Sequence, residues 1–138
     1  MKYPATFTPA IEGGFVVTFR DIPEAITQGD TEEEATSMAE DVLLSSMEVY
    51  FDEKRAIPAP SALSPDDHPI GIPASVAAKV LLLNEMLAQN VTASELARRM
   101  GTRPQDINRI IDLKHATKID TLANAIAAMG KSLEILAV

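Results

Sequence analysis

The chain has 138 residues and no cysteine, which excludes disulfides, thiolate zinc sites and a cysteine nucleophile. Hydrophobic residues make up 46%, enough to build a core and too many for a disordered chain. The net charge of −8 is unevenly placed: residues 1–68 hold 4 Lys+Arg against 14 Asp+Glu, and residues 69–138 hold 8 against 6.

The opening "MKYPATFTPAIEGG" has no apolar h-region, so no signal peptide is expected. Runs such as "VLLL" (80–83) are far too short to cross a bilayer. A soluble cytoplasmic protein is the default expectation. His68 and His115 are the two histidines, which leaves little to hold a metal, and no cofactor is implied.

"KYPATFT" (2–8) and "GGFVVTF" (13–19) read as a β-hairpin. Tyr3, Ala5 and Phe7 alternate, as do Phe15, Val17 and Phe19, the period-two pattern of a half-buried sheet. "IEGG" supplies a turn that tolerates positive φ. "DIP" ends the second strand, and "AITQ" (25–28) reads as a short third one. In "GDTEEEATSMAEDVLLSSMEVYFDE", Thr31 and Glu34 form a capping box, and Glu32–Glu34 suit the positive end of a helix dipole. A helix is predicted over 32–52, with Ala35, Met38, Ala39, Val42, Leu43, Met47 and Tyr50 facing the sheet.

Residues 56–73 contain five of the nine prolines, which remove backbone donors and block helix. A linker is predicted over 57–73 between domains at 1–56 and 74–138. "HPIGI" is a possible last strand of the first domain. Beyond it the pattern is helical. One helix covers about 75–89, with Val76, Val80, Leu83 and Leu87 inward. A second, opened by the box "TASE" (92–95), covers about 93–100 and ends at Gly101. A third covers about 104–113, with Pro104 in its first turn. A fourth, capped by "TKID" (117–120), covers about 118–129 and stops at Gly130. "SLEILAV" alternates and reads as a terminal strand.

Two short helices joined through Met100–Gly101–Thr102 describe a helix-turn-helix, with Leu96, Ile107, Ile110 and Ile111 inside. Gln105, Asn108, Arg109 and Asp112 then share the outer face. "ELARRMGTRPQDINRIIDLKHATKIDTLANAIAAMG" resembles the Cro/C1-type, or Xre-like, helix-turn-helix family over roughly residues 75–130. That resemblance implies a third helix lying in the DNA major groove. By position Gln105, Asn108 and Arg109 would meet base edges, because amides and guanidinium pair bidentately with adenine and guanine. Arg103, Lys114 and Lys118 would meet phosphate, as would Thr92 at a helix N-terminus. Asp112 is a poor DNA contact. The family's usual fifth helix is replaced by the tail, whose Leu133, Ile135 and Ala137 side needs cover, so strand pairing across a dimer is expected.

The first half is similar to the HicB antitoxin family. The match lies in "FRDIPEAITQGDTEEEATSMAEDVL", where a strand and "DIPE" precede "GDTxEEA" at a helix start. The hairpin, the proline-rich connector and the Xre-like module agree, so the resemblance spans nearly the whole chain. It implies an α+β protein: a partial ribonuclease-H-like β-β-β-α(-β) domain followed by an all-α helix-turn-helix domain with a terminal strand. It also implies a non-enzymatic antitoxin that binds HicA, a small basic mRNA-cleaving toxin, and represses its own operon by binding operator DNA as a dimer. A first half of net charge −10 suits a basic, RNA-gripping partner. Asp21 and Glu24 in "RDIPEA" are the candidate toxin contacts. The predicted strands 3–8 and 15–20 carry no Asp or Glu, which argues against a two-metal nuclease centre. The alternative is an Xre-like repressor whose first domain senses a small molecule.

Overall fold

A computed structural model of the chain describes all residues, 1–138. It has four strands and five helices: β1 (Lys2–Pro9), β2 (Phe15–Phe19), β3 (Ile26–Gly29), α1 (Glu32–Asp52), β4 (His68–Gly71), α2 (Ala74–Gln89), α3 (Ala93–Met100), α4 (Pro104–Ile110) and α5 (Ile119–Ala128). The chain divides into two compact units, Met1–Val49 with Pro58–Ile72, and Tyr50–Ile57 with Pro73–Val138.

The first unit is an antiparallel sheet of order β3-β2-β1-β4, with α1 supplying its apolar cover. The register pairs Ala5 with Phe19, Phe7 with Val17 and Tyr3 with Ile70, so these side chains share one face. Tyr3, Ala5, Val17, Phe19 and Ile70 on that face are buried, and so are Ala35, Ala39, Leu43 and Met47 of α1 at i, i+4, i+8 and i+12. Each fully buried Leu or Met contributes roughly 1.5–3 kcal/mol of transfer free energy. Met38, expected inward, is exposed: it lies one position before Ala39 and turns off the stripe, while Ser46 is buried beside Met47.

The hairpin turn uses the left-handed region at Gly13 (φ 97°) and Gly14 (φ 74°). Gly29 has a different role. A Cβ there would lie 2.6 Å from the Cα of Ala35 and also strike the Ala35 amide nitrogen, so the bare glycine lets β3 end against the first turn of α1. Thr31 caps that turn by accepting from the Glu34 N–H at 3.0 Å.

The proline-rich stretch is built into the sheet unit. β4 pairs with β1 over Lys2–Ala5 and Gly71–His68. Arg20, just past β2, holds the preceding loop. It donates to both Asp67 carboxylate oxygens (2.9 and 2.8 Å), to the Ala62 carbonyl (2.7 Å) and to Ser61 Oγ (2.9 Å). The Asp67 carboxyl is held down to about 2 by the Arg20 guanidinium and the Ser64 N–H. Tyr3 donates from its hydroxyl to the Pro58 carbonyl at 2.7 Å. Burial, with the negative charge of Asp21, pushes that phenol up to about 12.

The second unit is helical around Leu82, Met86, Leu96, Ala97, Ile107, Ile110, Leu122, Ala125 and Ile126. Asn84 of α2 clasps the backbone of Ile57, accepting from its N–H and donating to its C=O, both at 2.8 Å. Gly101 ends α3 at φ 68°, giving the left-handed C-cap expected there. Three sequence expectations shift. The third helix ends at Ile110 rather than near 113, because the Asp112 N–H bonds the Arg109 carbonyl three residues back (3.2 Å) rather than continuing the four-residue ladder. α5 starts at Ile119 with Lys118 as an N-cap that makes no side-chain bond, and the Thr117 hydroxyl turns to the His115 carbonyl at 3.4 Å instead. The tail 131–138 forms no strand: a strand needs a neighbouring edge, and Ile135, Leu136 and Val138 are exposed.

Candidate functional site

α4 is fixed from beneath by buried Ile107 and Ile110, which point its other side at solvent. Arg103, Gln105, Asn108 and Arg109 are exposed there, as are Thr92, Lys114 and Lys118. Two depressions flank α4. One, of about 370 Å³, has Thr92, Asn90, Lys54 and Asn108 at its polar edge over Leu83, Met86, Leu87 and Ile111. The other, of about 250 Å³, is lined by Asp106, Arg109, His115 and Lys118 among others. Thr92 and Asn108 are therefore brought together on one side, and Arg109 and Lys118 on the other. Asp112, expected on the outer face of the third helix, lies beyond its end.

The basic element is buffered by its own carboxylates. Glu95 pairs with Arg98 at 2.6 Å and Arg99 at 3.1 Å; Asp106 stands 3.4 Å from Arg103 and 3.7 Å from Arg109. Hydrogen bonds from Arg98 and then Arg99 hold the Glu95 carboxyl down to about 2. The Thr102 hydroxyl, 2.5 Å away, and then Arg103 do the same for Asp106. Asp106 also accepts from the Arg103 N–H at 3.3 Å, satisfying one amide at the start of α4. Thr92 caps α3 by accepting from the Glu95 N–H at 3.1 Å. The box is half made, because the Glu95 carboxylate is engaged by arginines.

Sequence reasoning missed Lys79. It lies on α2, 2% exposed, and its Nζ donates to the carbonyls of Asp112 (2.6 Å), His115 (2.5 Å) and, more weakly, Arg109 (3.5 Å). Burial lowers its pKa, opposed by the Asp112 carboxylate. The available signal was a lone cation on an apolar stripe, with Val76, Leu82 and Leu83 at helical spacing.

In the first unit the two acidic candidates separate. Asp21 is turned inward: one carboxylate oxygen accepts from both the N–H and the hydroxyl of Ser61 at 2.9 Å. Glu24 is exposed on the turn closed by the Ala25 N–H to the Ile22 carbonyl. His68, the first residue of "HPIGI", opens β4. Its ring stacks on Phe7 with centroids 3.9 Å apart, and Nε2 lies 3.2 Å from Glu32.

The first unit and the start of α2 match a family model over residues 2–81, that of the HicB-like antitoxin of bacterial toxin–antitoxin systems. The chain belongs to the HicB-like antitoxin family. Curated relatives extend the likeness to the whole chain. It is 51% identical to the antitoxin HicB of Escherichia coli K12 over all 138 residues of both proteins. It is 52% identical to antitoxin HicB 2 of Photorhabdus laumondii over the full chain and 97% of that protein. It is 34% identical to the antitoxin HicB of Pseudomonas fluorescens over 88% of the chain and 84% of that relative. The helical region beyond residue 81 is thus carried by the full-length relatives rather than by the HicB family model. No helix is long and apolar enough to cross a membrane.

Proposed function

We propose that this HicB-family antitoxin neutralises a HicA-type mRNA-cleaving toxin through its acidic first unit, and represses its own operon through α3 and α4 acting as an Xre-like helix-turn-helix. The observation that carries the DNA reading is α4 itself: two buried isoleucines beneath, and Arg103, Gln105, Asn108 and Arg109 exposed above between two depressions. A ridge of that kind fits a major groove, with Thr92 on one side and Lys118 on the other placed for the flanking phosphates. Lys114, in the turn after α4, joins them. The sheet order β3-β2-β1-β4 with one helix supports a partial ribonuclease-H-like first domain. Toxin binding there draws on an acidic surface in which Glu24 is presented outward, while Asp21 acts through the Ser61 loop. The Leu133, Ile135 and Ala137 side of the tail is assigned to a homodimer, where a second copy supplies the missing strand edge.

The decisive experiment induces the small reading frame beside this gene, with and without this chain, and follows growth. Arrest by the neighbour alone, relieved by this protein, is the expected result. An arrest that this protein leaves untouched removes the antitoxin reading. Residues 1–70 should neutralise by themselves, and a folded fragment that fails to rescue growth would show that the second domain is needed for inhibition.

A second reading, a repressor that answers to a small ligand, is favoured by the depression of about 370 Å³ that includes Asn108 of α4. It predicts a harmless neighbouring gene and an operator affinity that changes with ligand.

A further inference from the structure

α4 has seven residues, and its last turn is closed from just beyond its end, by the Ile111 N–H to the Ile107 carbonyl (3.0 Å) and the Asp112 N–H to that of Arg109 (3.2 Å). No glycine follows to fold the chain back, and Ile111 ends the helix at φ −93°. Residues 111–118 then run to α5 with no buried side chain, and the carbonyls of Asp112 and His115 turn towards α2. In their midst stands the ammonium group of Lys79, reaching up from α2 at 2% exposure. A buried charge without partners costs several kcal/mol. Here its three N–H groups meet the carbonyls of Arg109, Asp112 and His115, which also accept locally from the Asp112 N–H (3.2 Å), the His115 N–H (3.1 Å) and the Thr117 hydroxyl (3.4 Å), so the cation fills a second acceptor site on each. The positive charge also lies at the negative end of the α4 dipole.

We infer that Lys79 is the positioning residue for DNA reading: its ammonium sets the end of α4 and the course of residues 111–117, and through them the placement of Arg109, Lys114 and Lys118. This rests on the DNA-binding reading. Lys79 touches no solvent-facing surface and cannot meet a phosphate itself. It joins α2 to the C-terminal end of α4 as one rigid piece, and the groove holding Arg109 and Lys118 is formed partly by His115, whose carbonyl it holds. The C-terminal end of α5 uses the same device more superficially: Gln89 donates to the Met129 carbonyl at 2.9 Å and Arg99 to that of Ala128 at 3.3 Å. Of the three donors only Lys79 is buried, so water cannot replace it.

The test uses the full chain. Lys79→Met keeps the length of the side chain and removes the donors. It should fold, lose amide-exchange protection across 111–117, and bind operator DNA at least tenfold more weakly in a retardation titration. Because the chain has no cysteine, Lys79→Cys offers a unique thiol. Aminoethylation of that thiol in denaturant, followed by refolding, rebuilds a lysine-length amine and should restore both readouts; carbamidomethylation should not. If Lys79→Met keeps the exchange protection of 111–117, or binds operator within twofold of the parent, the positioning role is wrong. Equal weakness of the aminoethyl and carbamidomethyl forms also overturns it, since generic damage to the core is then enough. A parent protein that does not retard operator DNA removes the DNA reading instead, and exchange across 111–117 still decides whether Lys79 holds the loop. If Lys79→Met does not fold, the two alkylated forms decide the matter.

Discussion

Lys79 Nζ lies 2.6 Å from the carbonyl oxygen of Asp112, a buried cation against the end of the most exposed helix in the second unit. Burial lowers the Lys79 pKa below its ordinary 10.5, and the Asp112 carboxylate opposes that shift only in part. Between the lowered value and 10.5 the unfolded chain binds more protons than the folded one, so stability from this group rises as pH climbs through that window. Urea unfolding of the parent and of Lys79→Met at a series of alkaline pH values should show the parent gaining relative to the variant. A constant difference between the two would mean that burial does not tax the ammonium.

Asp106 runs the other way. Its carboxyl is held at about 2, against an ordinary 3.8, by the Thr102 hydroxyl first and Arg103 next. Its contribution is complete above about pH 4 and is lost as pH falls towards 2. Acid unfolding of Asp106→Asn should therefore begin closer to neutrality, with the gap to the parent closing by about pH 2. The same substitution frees Arg103 and Arg109 from a carboxylate, so binding to unrelated duplex DNA should strengthen and depend more steeply on salt.

Arg109→Ala is expected to weaken specific operator binding by about 1–3 kcal/mol while leaving neutralisation of the toxin intact. Unchanged operator affinity in a retardation assay would take Arg109 out of the interface.

Gly29→Ala should destabilise the first unit by about 2–4 kcal/mol, because the added methyl meets backbone atoms of Ala35 that no rotamer can move. Chemical denaturation reads this directly, and Gly71→Ala is the control, with nothing within 4 Å of its Cβ position. Similar losses for both would show that close approach is not the cause.

Arg20→Ala removes the donors that hold Ser61, Ala62 and Asp67. Limited proteolysis should then cut within 59–67 faster than in the parent, with β4 loosened behind it. Resistance equal to the parent would show that the pairing of β1 with β4 holds this loop unaided.

Local pattern carried the strands and helices. Alternating Tyr3, Ala5, Val17 and Phe19 made β1 and β2 legible, the acidic start at Glu32–Glu34 marked α1, and Gly101 marked the end of α3, since each depends on neighbours a few residues away. The exposure of Gln105, Asn108 and Arg109 was legible too, because helical spacing alone sets it opposite Ile107 and Ile110. The early end of α4 and the missing side-chain cap of α5 were not. The first turns on the Asp112 N–H reaching Arg109 and the second on the Thr117 hydroxyl turning back to His115, while the lysine that also takes the carbonyls of Asp112 and His115 is 33 and 36 residues away.

The sequence by itself determined the kinds of element, the split of charge between the two halves and the faces each helix could bury, because these follow from side-chain chemistry at fixed periods. Only the tertiary structure decided that a lysine is core, that Asp21 serves a loop rather than open solvent, and that Arg20 anchors the loop before β4 through Asp67. In each case a polar group finds its partner across a long separation in the chain, and which groups meet depends on how the elements stack.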